Sequence, residues 1–232
     1  MSSFRPSGFQ MLPTVVKNIV VINALVFLAQ NVIPADQFNM EDVFALHTLQ
    51  SSLYKPWQLI THMFMHADIM HIFFNMFALW FLGSILENLW GPNRFLTFYI
   101  VSGLGAALCH LTVLYFQNQD IVNQFNAMGA DQQMFYADNV KNILNQPTIG
   151  ASGAVFGCLA AFGYLFPNMT IYIYFLFPLK AKWFVLLYTA VELLGAFRNS
   201  AGDDVAHVAH LGGALAGFLM VYFWNKTNRR TF

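Results

Sequence analysis

Apolar stretches about 20 residues long recur along the chain, each long enough to cross a bilayer as a helix. Six can be marked. They run from Val15 to Ile33, Ile69 to Trp90, Phe95 to Phe116, Ala151 to Phe166, about Ile171 or Trp183 to Phe197, and Val205 to Trp224. Gly91-Pro92 stops the second, Pro167 closes the fourth, and Pro178 blurs the start of the fifth. Polar loops span Pro34 to Asp68 and Gln117 to Pro147. No internal repeat is visible, and no linker separates two domains. The pattern predicts an all-α membrane protein: one domain over residues 1–232, a bundle of six transmembrane helices with a short fourth helix and short tails.

Composition agrees. Of 232 residues, 57% are hydrophobic and 9% charged, against about 25% charged in a soluble domain. Net charge is zero and no basic tract is present, which argues against a nucleic-acid partner. Cys109 and Cys158 fall in apolar runs and read as packing residues, with neither a disulfide framework nor metal-ligand spacing. The opening "MSSFRPSGFQMLPT" is polar and mixed, unlike a signal peptide. With both termini cytoplasmic, Arg5, Lys17, Arg94, Lys180, Lys182, Lys226, Arg229 and Arg230 lie inside and only Lys55, Lys141 and Arg198 outside. The positive-inside rule favours that orientation. It puts the Ser152 end of the fourth helix at the outer face.

That helix is short: Ser152 to Phe166 spans roughly 22 Å, against about 30 Å of hydrocarbon. Ser152 then lies below the outer surface, where irregular backbone must be buried in protein or line a wet cavity. The plain reading of Ser152 is an N-cap. Its neighbours change the weighting. Gly153 and Gly157 make a G-x-x-x-G face, and Gly213 and Gly217 make a matching one on the sixth helix. His210 shares the face of Gly213 and would be brought to Ser152. An isolated intramembrane histidine can be a hydrogen-bonded packing residue, but imidazole can also take a serine proton. With Gly153 level with Gly213, His210 lies closer in depth to Ser152 than His207 does. His207 falls nearer Asp203.

His71 and Asn75 are four residues apart at the outer end of the second helix, and both can donate hydrogen bonds to a developing oxyanion. His62 and His66 share the same spacing, which a zinc site can use. No H-E-x-x-H accompanies them and the nearest acid is Asp68, so they read as supports of the loop. Neither a metal nor a cofactor is expected.

Three segments together resemble the rhomboid intramembrane serine proteases: G-x-S-G at Gly150 to Gly153, H-x-x-x-N at His71 to Asn75, and A-H-x-x-G-x-x-x-G from Ala209 to Gly217. The resemblance covers about residues 55–225. It implies a rhomboid-like bundle whose fourth helix carries the nucleophile Ser152, with His210 as base. It implies an oxyanion site from the Ser152 backbone N–H, His71 and Asn75. The implied substrates are transmembrane segments of other proteins, cleaved near their outer ends in contact with membrane lipid. The prokaryotic plasma membrane is the location expected of a six-helix core with small tails. No acidic third member is evident, since Glu192 lies on another helix and Asp203 and Asp204 precede His210 by two turns. The family's access route between the second and fifth helices suggests Phe74, Trp183 and Phe184 as gate residues. Two positions depart from the family: Phe156 stands where a tyrosine is common, and Trp57-Gln58 replaces Trp-Arg, which bears on loop rigidity. Glu87 matches a family position that ties helices together. A non-catalytic binder of membrane helices and a transporter are the competing classes. The intact serine, histidine and glycines oppose the first. The gathering of polar groups in one half of the bundle opposes the second.

Overall fold

The computed structural model describes residues 8–173, 177–196 and 204–227. Helix α1 spans Thr14–Val32. The loop after it holds two short helices, α2 (Met40–Phe44) and α3 (Gln58–Thr61), the latter prolonged by a 3-10 turn at His62–Phe64. Helix α4 (Ile69–Ala78) passes through a π-helical turn at Leu79–Gly83 into α5 (Ser84–Trp90), one continuous run. Gly91, at φ 79°, ends it, and Pro92 opens α6 (Pro92–Ala127). Helix α7 (Ala130–Leu144) and α8 (Ser152–Leu165) follow. An antiparallel hairpin of β1 (Thr170–Ile173) and β2 (Phe177–Lys180) leads into α9 (Ala181–Ala196). Helix α10 (Asp204–Thr227) is the last.

Among the described residues, four helical runs are long and apolar enough to cross a membrane: Thr14–Val32, Ile69–Trp90, Pro92–Ala127 and His207–Thr227. Helices α8 and α9, at 14 and 16 residues, are shorter. Large apolar side chains stay exposed along α1, α4 and α9, among them Leu25, Phe73, Phe77, Leu187 and Leu194. Such a surface suits lipid rather than water.

Two stretches differ from the hydropathy reading. The third apolar stretch was expected to end at Phe116, before a polar loop. Instead α6 continues for eleven more residues to Ala127 and α7 folds behind it. No Gly or Pro interrupts Gln117 to Ala127, so the helix outlasts its apolar stretch until Gly129. Hydropathy marks where lipid ends, not where a helix ends. The second difference is at Ile171 to Lys180, apolar but strand rather than helix, so the fold is not purely α. Its β-branched and aromatic residues favour strand, and Pro178 lacks the N–H an internal helical turn needs. The fifth helix therefore starts at Ala181. Its expected last residue, Phe197, lies outside the described residues.

Helix α8 is the centre of the bundle, packed between α6 and α10. Its residues Gly153 and Gly157 face Ala106 and Ser102 of α6 on one side and Gly213 and Gly217 of α10 on the other. A Cβ on Gly213 would overlap the Gly153 carbonyl, and one on Gly217 would come within 2.7 Å of the Gly157 Cα. The two backbones touch because neither helix carries a side chain there. Below this seam, Phe95, Phe98, Tyr99 and Phe162 are fully buried. Glu87 accepts the Val15 and Val16 N–H groups at 2.9 and 2.8 Å. It thereby caps α1, whose own N-cap, Pro13, makes no side-chain cap bond.

Candidate active site

The site begins with how the loop before α8 is held. Thr148 pairs with Leu46 by two backbone hydrogen bonds of 2.9 Å, and the Gly150 N–H donates to the His62 carbonyl at 2.9 Å. The Thr148 hydroxyl and His110 Nε2 lie 2.6 Å apart. Gly150 takes φ 133°, a conformation L side chains avoid, and a Cβ there would sit 2.8 Å from His71 Nε2. The glycine is thus required both for the turn and for the approach of His71.

The loop that receives this segment is itself stapled. Gln58 is fully buried. Its side-chain Oε1 accepts from Lys55 N–H at 3.0 Å and His47 N–H at 3.4 Å, while its side-chain Nε2 donates to the Leu53 backbone carbonyl at 2.9 Å. Gln58 occupies the position where the resemblance suggested a loss of rigidity, yet it gathers three segments of the loop. His62 Nδ1 meets the Gln58 backbone carbonyl at 2.7 Å. His62 and His66 are both buried in this loop, and burial holds each down to about 4 from an ordinary 6.5. They do not converge on a metal: His62 is engaged with the backbone, and His66 packs its ring edge-on to His71 at 4.9 Å.

Ser152 is the first residue of α8. The N-cap is Ala151, with no side-chain cap bond, so the plain capping role for the serine is not taken up. Its hydroxyl lies 2.8 Å from His210 Nε2 instead. At the first helical position the Ser152 N–H has no intrahelical acceptor. The helix N-terminus also directs positive partial charge to the same point.

The His210 ring is fixed on three sides. Phe156 stacks on it at 4.3 Å with an interplanar angle of 4°, so phenylalanine fills the stacking position without a hydroxyl. Ser152 meets Nε2. On the far edge, Nδ1 lies 3.0 Å from Glu192 Oε2. The same oxygen is 2.6 Å from His207 Nδ1. Sequence reasoning set Glu192 aside because it sits on another helix. The signal was present all the same, as it is the single acid between Phe166 and Phe197, in a run otherwise apolar enough for a membrane. His207 turns to Glu192, while its expected neighbour Asp203 lies outside the described residues.

Glu192, His207 and His210 offer ligand atoms within 4.8 Å of one another. Tetrahedral zinc with ligands at about 2.0–2.1 Å spreads its donors to about 3.3 Å apart. Separations of 2.6 and 3.0 Å onto one shared oxygen fit hydrogen bonds better.

His71 receives the Ala67 N–H at Nδ1, at 3.4 Å, which leaves Nε2 as its donor, beside Gly150. Asn75 is buried one turn further along, and its amide donates to the His71 carbonyl at 3.0 Å. One amide hydrogen is so used, and an amide nitrogen has two. Behind Ser152 a cavity of about 50 Å³ is lined by polar His62, His110, Thr148 and His210 among apolar residues that include Leu46, Met63 and Ile149. It has room for a few water molecules.

The family model of the Rhomboid domain matches residues 54–226. The chain is 28% identical over 163 residues to Rhomboid protein 1, mitochondrial, of Saccharomyces cerevisiae, covering 70% of this chain and 40% of the relative. It is 29% identical over 201 residues to RHOMBOID-like protein 12, mitochondrial, of Arabidopsis thaliana, covering 86% and 55%. It is 25% identical over 184 residues to Rhomboid protease GluP of Bacillus subtilis, covering 78% and 29%. The matches thus take in between 29% and 55% of these relatives' own length. The domain match begins in the loop before α3 and runs almost to the end of α10, and on that extent the protein belongs to the rhomboid family.

Proposed function

We propose that the protein is an intramembrane serine endopeptidase that cleaves transmembrane segments of other proteins near their extracytoplasmic ends. One observation carries the reading: the Ser152 hydroxyl stands 2.8 Å from His210 Nε2 at the N-terminus of a short, buried helix. In the proposed reaction His210 takes the Ser152 proton as Oγ attacks the peptide carbonyl carbon. The negative charge on the carbonyl oxygen is met by the Ser152 N–H, His71 Nε2–H and the second Asn75 amide hydrogen. Collapse breaks the C–N bond, and His210 passes its proton to the leaving amine. Water then attacks the acyl-serine ester, giving His210 a proton that returns to Ser152 Oγ as the ester breaks. The cavity behind Ser152 could hold that water.

The orientation proposed puts both termini on the cytoplasmic side, supported by the eight-to-three division of Lys and Arg. Relatives in mitochondria and in a bacterium carry the domain, so we propose the orientation rather than the organelle.

The test is covalent labelling of detergent-solubilised protein by a fluorophosphonate, with the labelled peptide mapped. Ser152 should carry the adduct. Ser152→Ala should lose both the adduct and cleavage of a membrane-helix substrate while folding normally, because a single oxygen is removed. Turnover at wild-type rate in that variant would overturn the mechanism. A folded protein that neither labels nor cleaves would instead be a binder of membrane helices.

A further inference from the structure

Glu192 stands in a place built for it. Half of the residues of α9 are exposed, and among its described residues only Ala181 and Glu192 are buried. One turn after Glu192, Gly195 has no side chain where the His207 ring lies, and a Cβ there would overlap that ring. The pair of residues on α9 forms a slot: a carboxylate at one end, bare backbone at the other. His207 fills it, and His210 reaches the same carboxylate oxygen from the next turn of α10.

A buried carboxylate in a membrane bundle needs donors. Two imidazole Nδ1–H groups supply them, on a single oxygen. The consequence for His210 is chemical. A neutral imidazole has one N–H, and a carboxylate at Nδ1 places it there. Nε2 is then the acceptor, at the edge that faces Ser152. With the proton on Nε2 instead, His210 could only donate to Ser152 and could not take its proton. When His210 does take that proton it becomes a cation, and the adjacent carboxylate stabilises the cation more than the neutral ring.

We propose that Glu192 is a positioning residue for the reaction, holding His210 as its Nδ1–H tautomer and stabilising the imidazolium formed during attack, with His207 as the second donor that keeps the carboxylate in place. The proposal rests on the protease reading above and adds an acid from a different helix to the serine and histidine. Because Glu192 acts through His210 and not on the substrate, its loss should fall on kcat and leave KM alone.

The experiment has two arms. In the first, Glu192→Gln, Glu192→Asp, His207→Ala and His210→Ala are compared by fluorophosphonate labelling rate and by kcat and KM on a membrane-helix substrate, each variant checked for a cooperative melt in detergent. Glu192→Gln should lower kcat and labelling rate together by about 10- to 100-fold with KM unchanged. Glu192→Asp should recover part of the loss, and His207→Ala should cost less than Glu192→Gln. The second arm uses the wild-type protein and carries no folding risk. Histidine ¹⁵N spectra in micelles, with His210 assigned by difference from His210→Gln, should show its proton on Nδ1. A folded Glu192→Gln with wild-type kcat and labelling overturns the proposal, as does a proton found on Nε2 of His210. The outcomes separate from the parent reading: if His210→Ala still labels and cleaves, the protease mechanism itself has failed. If His210→Ala is dead while Glu192→Gln is unimpaired, only the role of Glu192 is lost.

Discussion

The two sides of Ser152 are built in opposite ways. On one side α8 lies against α6 and α10 through Gly153, Gly157, Gly213 and Gly217, with Ser102 and Ala106 opposite them and no long side chain between the backbones. On the other side stands α9. It holds to the bundle through Glu192, through Val185 on Gly163, and through Tyr188, whose ring is 5.2 Å from that of Phe156. Nine of the 14 residues of α8 are buried, whereas two of the 16 in α9 are. A hydrogen bond of 2.8 Å between side chains of two helices needs those helices locked in register, and backbone contact does that. A helical substrate needs a side that can part. In the proposed protease, the tight wall would hold Ser152 against His210 and the loose one would leave room for access.

The strongest way to break this contrast is to spoil the tight wall. A side chain at Gly213 would overlap the Gly153 carbonyl, and backbone cannot rotate out of the way as a flexible side chain can. Gly213→Val should destabilise by at least the roughly 1–3 kcal/mol of an overpacked core and abolish labelling at Ser152. Gly8→Val, with nothing within 4 Å of its Cβ, is the control and should change neither the melting temperature nor the rate. A Gly213→Val protein that labels at wild-type rate would show that the seam does not set the register.

Next in size are the proposed oxyanion donors. His71 borders the wall, since its Nε2 is packed at Gly150, and Asn75 lies on the same face one turn on. Removing one such donor in a soluble serine protease costs about 100- to 1,000-fold in kcat. His71→Ala and Asn75→Ala should each lose less than that, because three donors share the charge, and the loss should appear in single-turnover rate and not in substrate affinity. Wild-type single-turnover rates in both would make them packing residues.

The loop that completes the wall gives a graded effect. His62 and His66 take up protons near 6.5 in the unfolded chain but only near 4 when buried in the loop. The unfolded state therefore binds more protons in between. The stability these two confer is complete above about pH 6.5 and is lost as the pH falls towards 4, by up to about 3 kcal/mol for each. Melting temperature in detergent should drop over that window. His62→Gln with His66→Gln should flatten the slope. A melting temperature constant from pH 7 to pH 4 would mean the two rings are not sealed from water.

These features were unequally legible in the sequence. The wall could be read because a glycine every fourth residue, a weak signal on one helix, recurs on a second and so permits close approach between the two, and depth along α10 separated His210 from His207. Ser152 could be singled out from its flanking glycines, though not that Ala151 would take the cap. Glu192 could not be placed, because its neighbours are 15 and 18 residues away on another helix, across a stretch whose path no local rule gives. The hairpin before α9 was hidden by a composition as apolar as a membrane helix. Gln58 read as a loss because a charged fork was expected there. A buried amide satisfies the loop equally well, since it both donates and accepts.

The smallest effect tests the loose wall. Phe74 on α4 is 60% exposed and Trp183 on α9 is 54% exposed. The two are not at one depth. Phe74 is three residues from His71, at the level of the site. Trp183 is nine residues before Glu192, about 13 Å along α9, near the β-hairpin. Neither supports the core, so truncation should shift stability by no more than about 0.5 kcal/mol. A small fluorophosphonate does not need helices to part as a membrane-helix substrate would, so Phe74→Ala and Trp183→Ala should label at the wild-type rate. On the proposed reading, a membrane-helix substrate would instead pass between α4 and α9 close to Ser152. Removing the Phe74 ring should therefore raise its cleavage about two- to threefold, as expected when opening of a gate limits turnover. Trp183→Ala, lying deeper, should stay within twofold of wild type. If Trp183→Ala accelerated cleavage and Phe74→Ala did not, access would lie at the hairpin end of α9. Equal changes in labelling and cleavage would mean that the ring acts on the chemistry, and the contrast between a fixed wall and a parting one would lose its functional meaning.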